Sequence, residues 1–324
     1  MKNSAPSLTV SQVGIPTGDL RNDSAEWLRA GEISRHSQRT IGARREIVQK
    51  LLWFLNDREI EVCDTSAIRG FLHYLTTGHT EPGGRWGNPR ETEPVRPATV
   101  HTYHGHLRTF FAWLVSEGLL ESSPMDRIPV PTYRRDQIQP FSADELNRMM
   151  DAAKRTATPL RDHALLLVLL DTGCRASEVC GIRRSDLDME QRTVSVLGKG
   201  NKRRTVAFGS HTCSALWRYL RGTPDLPTDP LFRGQRGELT RSGILQLVER
   251  IAREAGVSDA HPHRFRHTFA ITFLRAGGGT FTLQQILGHT NLAMTQRYCA
   301  VAEADVVDQQ RRFSPSEMLL GKKR

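Results

Sequence analysis

Tyr298 stands nine residues after His289, closing the run Gly288-His-Thr-Asn-Leu-Ala-Met-Thr-Gln-Arg-Tyr298, and His263, Arg266, Arg175 and Lys199 lie upstream in short, patterned contexts. A phenol with a pKa of about 10 is a weak nucleophile at neutral pH. A chain that uses one must surround its target with cations and with groups that carry protons. Two arginines, a lysine and two histidines supply both, because a guanidinium forks onto a pair of phosphate oxygens and imidazole and ammonium groups move protons. Taken singly, each residue type is common in packing or on surfaces. Their order and spacing together point to a phosphate clamp with a nucleophile attached, and so to a chain built to hold DNA.

Each member also has a plainer reading. Arg175, in Asp171-Thr-Gly-Cys-Arg-Ala-Ser-Glu178, closes an apolar helix beside a glycine turn, where it either aims inward at a phosphate or pairs with Glu178 three residues on. In His261-Pro-His-Arg-Phe-Arg-His267, Arg266 falls one helical turn after His263 on the same face, while Phe265 and Phe269 read as packing. His263 and His267 have the i, i+4 spacing of a zinc helix. That motif requires a glutamate after the first histidine, and Arg264 is there instead. His101, His104 and His106 also invite a metal, but no cysteine or carboxylate is placed to complete a ligand set. They are expected on a polar, phosphate-facing surface, and no metal or other cofactor is expected anywhere. Lys199 sits between two glycines at a hairpin tip, with Lys202, Arg203 and Arg204 behind it as a solvated basic turn or as contacts to the DNA backbone. The Gly-x-Gly there is not a nucleotide loop, because a strand rather than a helix follows it.

An excess of 45 Lys and Arg over 35 Asp and Glu in 324 residues gives a net charge of +10, a field that attracts polyanions. Nucleic acid is the first candidate partner. An anionic membrane is the weaker one, because no apolar run approaches the roughly 20 residues needed to span a bilayer. No signal-peptide pattern opens the chain, so a cytoplasmic location is expected. Cys63, Cys174, Cys180, Cys213 and Cys299 form no Cys-x-x-Cys pair and are odd in number, which argues for reduced, semi-buried thiols. Cys299 follows the tyrosine directly, but neighbours on a helix point about 100 degrees apart.

The elements that must position these groups are mostly helical. Residues 1–20 read as a loose arm, and residues 21–120 as a helical domain with apolar periods over 37–56, 66–77 and 98–117. A Gly- and Pro-bearing loop spans 79–97. Residues 121–140, with Ser-Ser-Pro, Ile-Pro-Val-Pro and Arg134-Arg135, read as a stiffened basic linker. A larger domain, 141–313, opens with the capping-box pattern Ser142-Ala-Asp-Glu145. It continues through an apolar helix over 160–172 and a hairpin over 193–208, and helices resume near 211, 241, 264, 281, 290 and 302. A tail, 314–324, ends the chain. The expected fold class is therefore mainly α with a small β-sheet, in two domains.

The Arg175 segment, Lys199, His263-x-x-Arg266-His267, Leu287-Gly288-His289 and Tyr298 together resemble the motifs of the tyrosine recombinases, or phage integrase family, and the likeness covers all but about the first twenty residues. The resemblance implies a two-domain DNA clamp whose first helices are the core-binding domain. It implies that Tyr298 attacks a DNA phosphodiester to form a 3'-phosphotyrosyl bond, with no metal or nucleotide needed. Arg175, Arg266 and His289 would bind the phosphate oxygens, Lys199 would protonate the departing 5' oxygen, and His263 would carry the tyrosine proton. Glu178 and His267 would support them. Expected partners are double-stranded DNA with specific recombination sites, further copies of the chain as a tetramer on DNA, and accessory proteins. The biological task would be integration, excision or transposition of a mobile element, with resolution of replicon dimers as the alternative. Relaxation without strand exchange, as in a type IB topoisomerase, would share the chemistry. A DNA-binding regulator with a structural tyrosine, or a metallohydrolase using the histidine groups, would not.

Overall fold

The computed structural model describes residues 14–79, 83–133, 138–198, 201–222, 226–234, 237–289, 291–302, 310–311 and 314–320. The chain divides into two compact units, Met1–Asp136 and Gln137–Arg324.

The first unit begins with a short strand β1 (Ile15–Pro16) and helix α1 (Thr17–Ile33). The loose arm expected to residue 20 is thus corrected from Ile15 onward. Ile15 pairs with Cys63 of β2 (Val62–Cys63), and Leu20 and Trp27 are buried. Residues 1–13 lie outside the described residues. Few apolar side chains mark α1, so its period is faint, and packing against neighbours decides it. Helix α2 (Gln38–Asp57) has a strong signal: Ser37 caps it by accepting from the Thr40 N–H, and Ile41, Ile47, Val48, Leu51, Leu52 and Leu55 form its buried stripe. Helix α3 (Thr65–Thr76) starts at the Asp64 cap, and α4 (Pro97–Ser116) starts with proline at its first turn, where no N–H is needed. Their buried Phe71, Phe110, Phe111 and Leu114 complete the core of this unit.

Two further expectations for this unit change. The expected linker packs onto it as far as Pro131, burying Met125 and Ile128. His101 and His104, expected on a phosphate-facing surface, instead hold that segment down through the carbonyls of Pro131 (3.0 Å) and Ile128 (3.3 Å), with His104 1% exposed. Their helix face could not be phosphate-facing once this segment covered it. The loop after α3 is anchored by Trp86, whose N–H donates to the Tyr74 hydroxyl and whose ring packs on Trp53, Phe71 and Tyr74. Arg134 and Arg135 lie outside the described residues.

The second unit opens with α5 (Ala143–Ala153), whose capping box is complete: Ser142 accepts from the Glu145 N–H while Glu145 accepts from the Ser142 N–H. Glu145 also pairs with Arg264, whose guanidinium lies 4.1 Å over Phe141, so one carboxylate joins two distant segments. Helix α6 (Pro159–Thr172) supplies Leu165, Leu166, Val168 and Leu169 to the core, each such burial contributing about 1.5–3 kcal/mol. A short α7 (Ala176–Cys180) leads to an antiparallel sheet of β3 (Leu187–Asp188), β4 (Thr193–Leu197) and β5 (Arg203–Ala207). The expected hairpin is β4 and β5, registered Val194 opposite Val206 and Val196 opposite Arg204. Then follow α8 (Ser210–Leu220), the small pair β6 (Arg233–Gly234) and β7 (Gly237–Glu238), and α9 (Arg241–Ala255). Helices α10 (Pro262–Arg275), α11 (Thr280–Leu287), α12 (Leu292–Ala302) and α13 (Pro315–Leu320) complete the described chain. Most of the helix expected over 302–313 falls outside the described residues.

Candidate active site

Two glycine turns build the site. Helix α6 ends at Gly173 with φ 60° and α11 ends at Gly288 with φ 62°, left-handed conformations that glycine adopts without a Cβ clash. A Cβ at Gly173 would lie 2.6 Å from the Phe269 ring, and one at Gly288 would lie 3.1 Å from Arg204 Nη1. The turns leave the carbonyls of Gly173 and Leu287 without helical donors, and these are the groups that receive Arg266. Its Nη1 donates to Gly173 O at 2.8 Å and its Nη2 to Leu287 O at 2.7 Å. Arg266 is fully buried (0% exposed). Burial and the nearby Arg175 push it down to about 10, so it keeps its charge at neutral pH.

Arg175 comes to the same place. Its Nη1 donates to Leu287 O at 3.4 Å and to Glu178 at 2.9 Å. Arg175 thus pairs with Glu178, as its plainer reading expected, and also stands beside Arg266 on a shared acceptor. Glu178 is buried and accepts from the Arg175 N–H, from Arg175 Nη1 and from both terminal nitrogens of Arg204. Burial would raise its carboxyl, but the Arg204 and Arg175 bonds outweigh that and hold it below the usual carboxylate range. One carboxylate thus faces two guanidinium groups, with the Arg266 guanidinium close to that of Arg175, an excess of positive charge that a phosphate would neutralise.

Arg204 was expected at the DNA backbone, and the structure corrects this. It bonds Glu178 at 2.9 and 3.0 Å and the Ile286 carbonyl at 2.6 Å, and its side chain is 14% exposed. Strand alternation explains the direction: Arg204 shares a sheet face with Val206, two residues on, and Val206 is buried. That alternation was available in the sequence. Lys202 is exposed, and the exposed Arg203 pairs with Asp186 at 2.6 Å. Lys199 lies outside the described residues. Gly198 just before it lines a cleft of about 430 Å³ with Arg175, Ser177, Glu178, Leu197, Gly288 and Met294.

Helix α12 brings Tyr298 against this group. The phenol is 3% exposed, and its oxygen is 2.9 Å from His267 Nδ1. Burial raises its pKa, while Arg266 beside it acts in the opposite direction. The phenol is thus held by His267, expected only in support, and not by His263, expected to carry its proton. His263 is exposed, with its ring centroid 4.4 Å from that of His267. His261 caps α10 by accepting from the Arg264 N–H. His289 lies nearly parallel to the Tyr298 ring, at 11° and 6.2 Å. Its Nδ1 is engaged by Thr295 Oγ1 at 2.9 Å, which leaves Nε2 for a ligand. Burial, then Arg266 and Arg175, push His289 down to about 4, so it is neutral. Thr295, buried one turn before Tyr298 on the same helix, is a partner that the motifs did not single out. Cys299 turns away, 3.5 Å from the Thr280 hydroxyl. Among the described residues no three His, Cys, Asp or Glu side chains converge in a metal-holding group, and no helix is long and apolar enough to cross a membrane.

Comparison with known proteins gives a consistent picture. The phage integrase family matches residues 139–305. The tyrosine recombinase XerC of Xanthomonas axonopodis pv. citri (strain 306) is 36% identical over 193 residues, 59% of this chain and 63% of that protein. The chain therefore aligns with just under two thirds of that relative's length. The tyrosine recombinase XerC of Bacillus pumilus (strain SAFR-032) is 31% identical over 280 residues, 83% of this chain and 88% of that protein. The Tn1549 transposon integrase in complex with a circular intermediate DNA is similar in fold, with a TM-score of 0.69 at 18% identity, over 90% of this chain and 98% of that one.

Proposed function

The chain belongs to the phage integrase family, the tyrosine recombinases, and from that premise we propose that it cleaves and rejoins DNA strands at specific sites through a 3'-phosphotyrosyl intermediate. The observation that carries the reading is the convergence of Arg175 and Arg266 on the Leu287 carbonyl, with Arg266 also beside the Tyr298 phenol. A scissile phosphate bound there has two guanidinium groups for its non-bridging oxygens, and the neutral His289 donates a further hydrogen bond. Such preorganised donors are worth on the order of 10²-fold or more each, because they face charge as it develops in the transition state. The phenol oxygen attacks phosphorus, the P–O5' bond breaks, and Lys199 protonates the departing 5' oxygen. The ester energy stays in the protein–DNA bond and is recovered when a second 5'-hydroxyl attacks.

The relatives named XerC and XerD favour resolution of replicon dimers as the task, and the likeness in fold to a transposon integrase keeps movement of a mobile element as the second reading. Both require double-stranded DNA carrying recombination sites and several copies of the chain, a tetramer in the synapse, with accessory proteins directing the outcome. Lys202 and Arg203, exposed on the hairpin, are the backbone contacts of this reading, joined by Arg134 and Arg135. The test uses nicked DNA duplexes drawn from the sequence flanking the gene and from candidate replicon recombination sites, from which the cleaved strand diffuses away. Wild-type protein should remain bound to DNA after denaturation, and Tyr298→Phe should bind equally well yet form no covalent complex. Covalent complex with the phenylalanine variant would end the nucleophile assignment.

A further inference from the structure

We infer that His267 is a catalytic residue, the group that takes the proton from Tyr298 as the phenol attacks; this rests on the proposed strand-cleavage reaction. The Tyr298 hydroxyl lies 2.9 Å from His267 Nδ1, within the reach required of a general base. The direction of that bond follows from the neighbours. Arg266 beside the phenol can only donate hydrogen bonds, so it offers no acceptor for the phenol hydrogen. The hydrogen therefore goes to Nδ1, and His267 carries its own proton on Nε2. In the attack, the Tyr298 O–H bond breaks, its electron pair forms the bond to phosphorus, and the proton moves to Nδ1 to give an imidazolium. The reverse transfer returns the proton to the phenol when the strand is resealed.

The same geometry keeps the transfer to His267 from occurring before DNA binds. His267 is surrounded by His263, His261, Arg297 and Arg266, and burial followed by these groups pushes it down to about 3. The buried phenol is raised above its ordinary value, so the proton stays on oxygen. Binding a phosphodiester anion between Arg175 and Arg266 offsets the positive charge that penalises a protonated histidine. His267 becomes a competent base only when DNA is in place, and the substrate itself arms the nucleophile.

The test compares His267→Gln with wild type on a nicked duplex, reading single-turnover formation of the covalent complex, DNA affinity and thermal unfolding. Glutamine can hydrogen-bond the phenol but cannot accept its proton. The expected result is a loss of about 10²- to 10⁴-fold in cleavage rate, with affinity and unfolding temperature unchanged. The loss should persist with a bridging 5'-phosphorothiolate, whose leaving group needs no proton. Cleavage at the wild-type rate overturns the proposal, as does rescue by the phosphorothiolate, which would assign His267 to the leaving group. A second measurement needs no variant: nitrogen NMR of the wild-type protein with labelled histidine should show Nδ1 of His267 unprotonated, and a proton on Nδ1 overturns the proposal. Failure of the underlying reading is distinguishable, because wild-type protein would then form no covalent complex at all.

Discussion

Replacing Arg204 with alanine separates two roles that a basic hairpin can have. In the structure this arginine donates to both Glu178 oxygens at 3.0 and 2.9 Å and to the Ile286 carbonyl at 2.6 Å. The side chains of the pair are 14% and 4% exposed, which puts them in the interior regime, not the surface one where an ion pair contributes about 0–1 kcal/mol. Removing one partner of a buried pair costs about 3–5 kcal/mol, because the remaining charge stays buried. Arg175 still donates to Glu178, so the lower end, about 3 kcal/mol, is expected. Denaturant unfolding of Arg204→Ala should show that loss as a shift in midpoint at constant slope. A DNA-backbone contact predicts something different: weaker binding at every sequence and a salt dependence of binding reduced by about one phosphate. An unaltered salt dependence is expected. A stability change under about 1 kcal/mol together with a reduced salt dependence would refute the strut.

Gly173→Ala should destabilise by about 1–3 kcal/mol, since φ is 60° there and the new Cβ would meet Phe269 at 2.6 Å; unfolding midpoints check this, and cleavage should fall as well, because the Gly173 carbonyl holds Arg266. Acidification should destabilise the second unit. The folded pKa of His289 lies near 4, below its unfolded value of about 6.5, so its contribution is fully present above about pH 6.5 and is lost as the pH falls towards 4. The lowered Glu178 carboxyl adds a loss at lower pH still. Unfolding curves of wild type and His289→Gln should converge as the pH falls through that window, and parallel curves would reject the linkage. Lys199→Ala should cleave ordinary DNA poorly and a bridging phosphorothiolate substrate near the wild-type rate; no recovery would remove Lys199 from the general-acid role.

The family was legible in the sequence because its motifs are residue types at short spacings. Local patterns also carried most elements: the stripe of α2, the Ser142 capping box and the alternation of β4 and β5 depend on side chains a few residues apart. Helix α1 was not legible, because Leu20 and Trp27 are too sparse to mark a face until α2 and α4 pack against it. Nor was the anchoring of residues 121–131, whose ties to His101 and His104 cross 30 and 24 positions.

What the sequence by itself determined is the inventory: a phenol, guanidinium groups and imidazoles placed on helices and turns by local periodicity. What only the tertiary structure decided is which of them touch. Arg175 and Arg266 meet on Leu287 O, 112 positions from the first, and His267 rather than His263 holds the phenol across 31 positions. His263 and His267 lie one helical turn apart, so periodicity alone could not choose between them. The packing of α12 against α10 chose, because it fixes where the phenol oxygen lies.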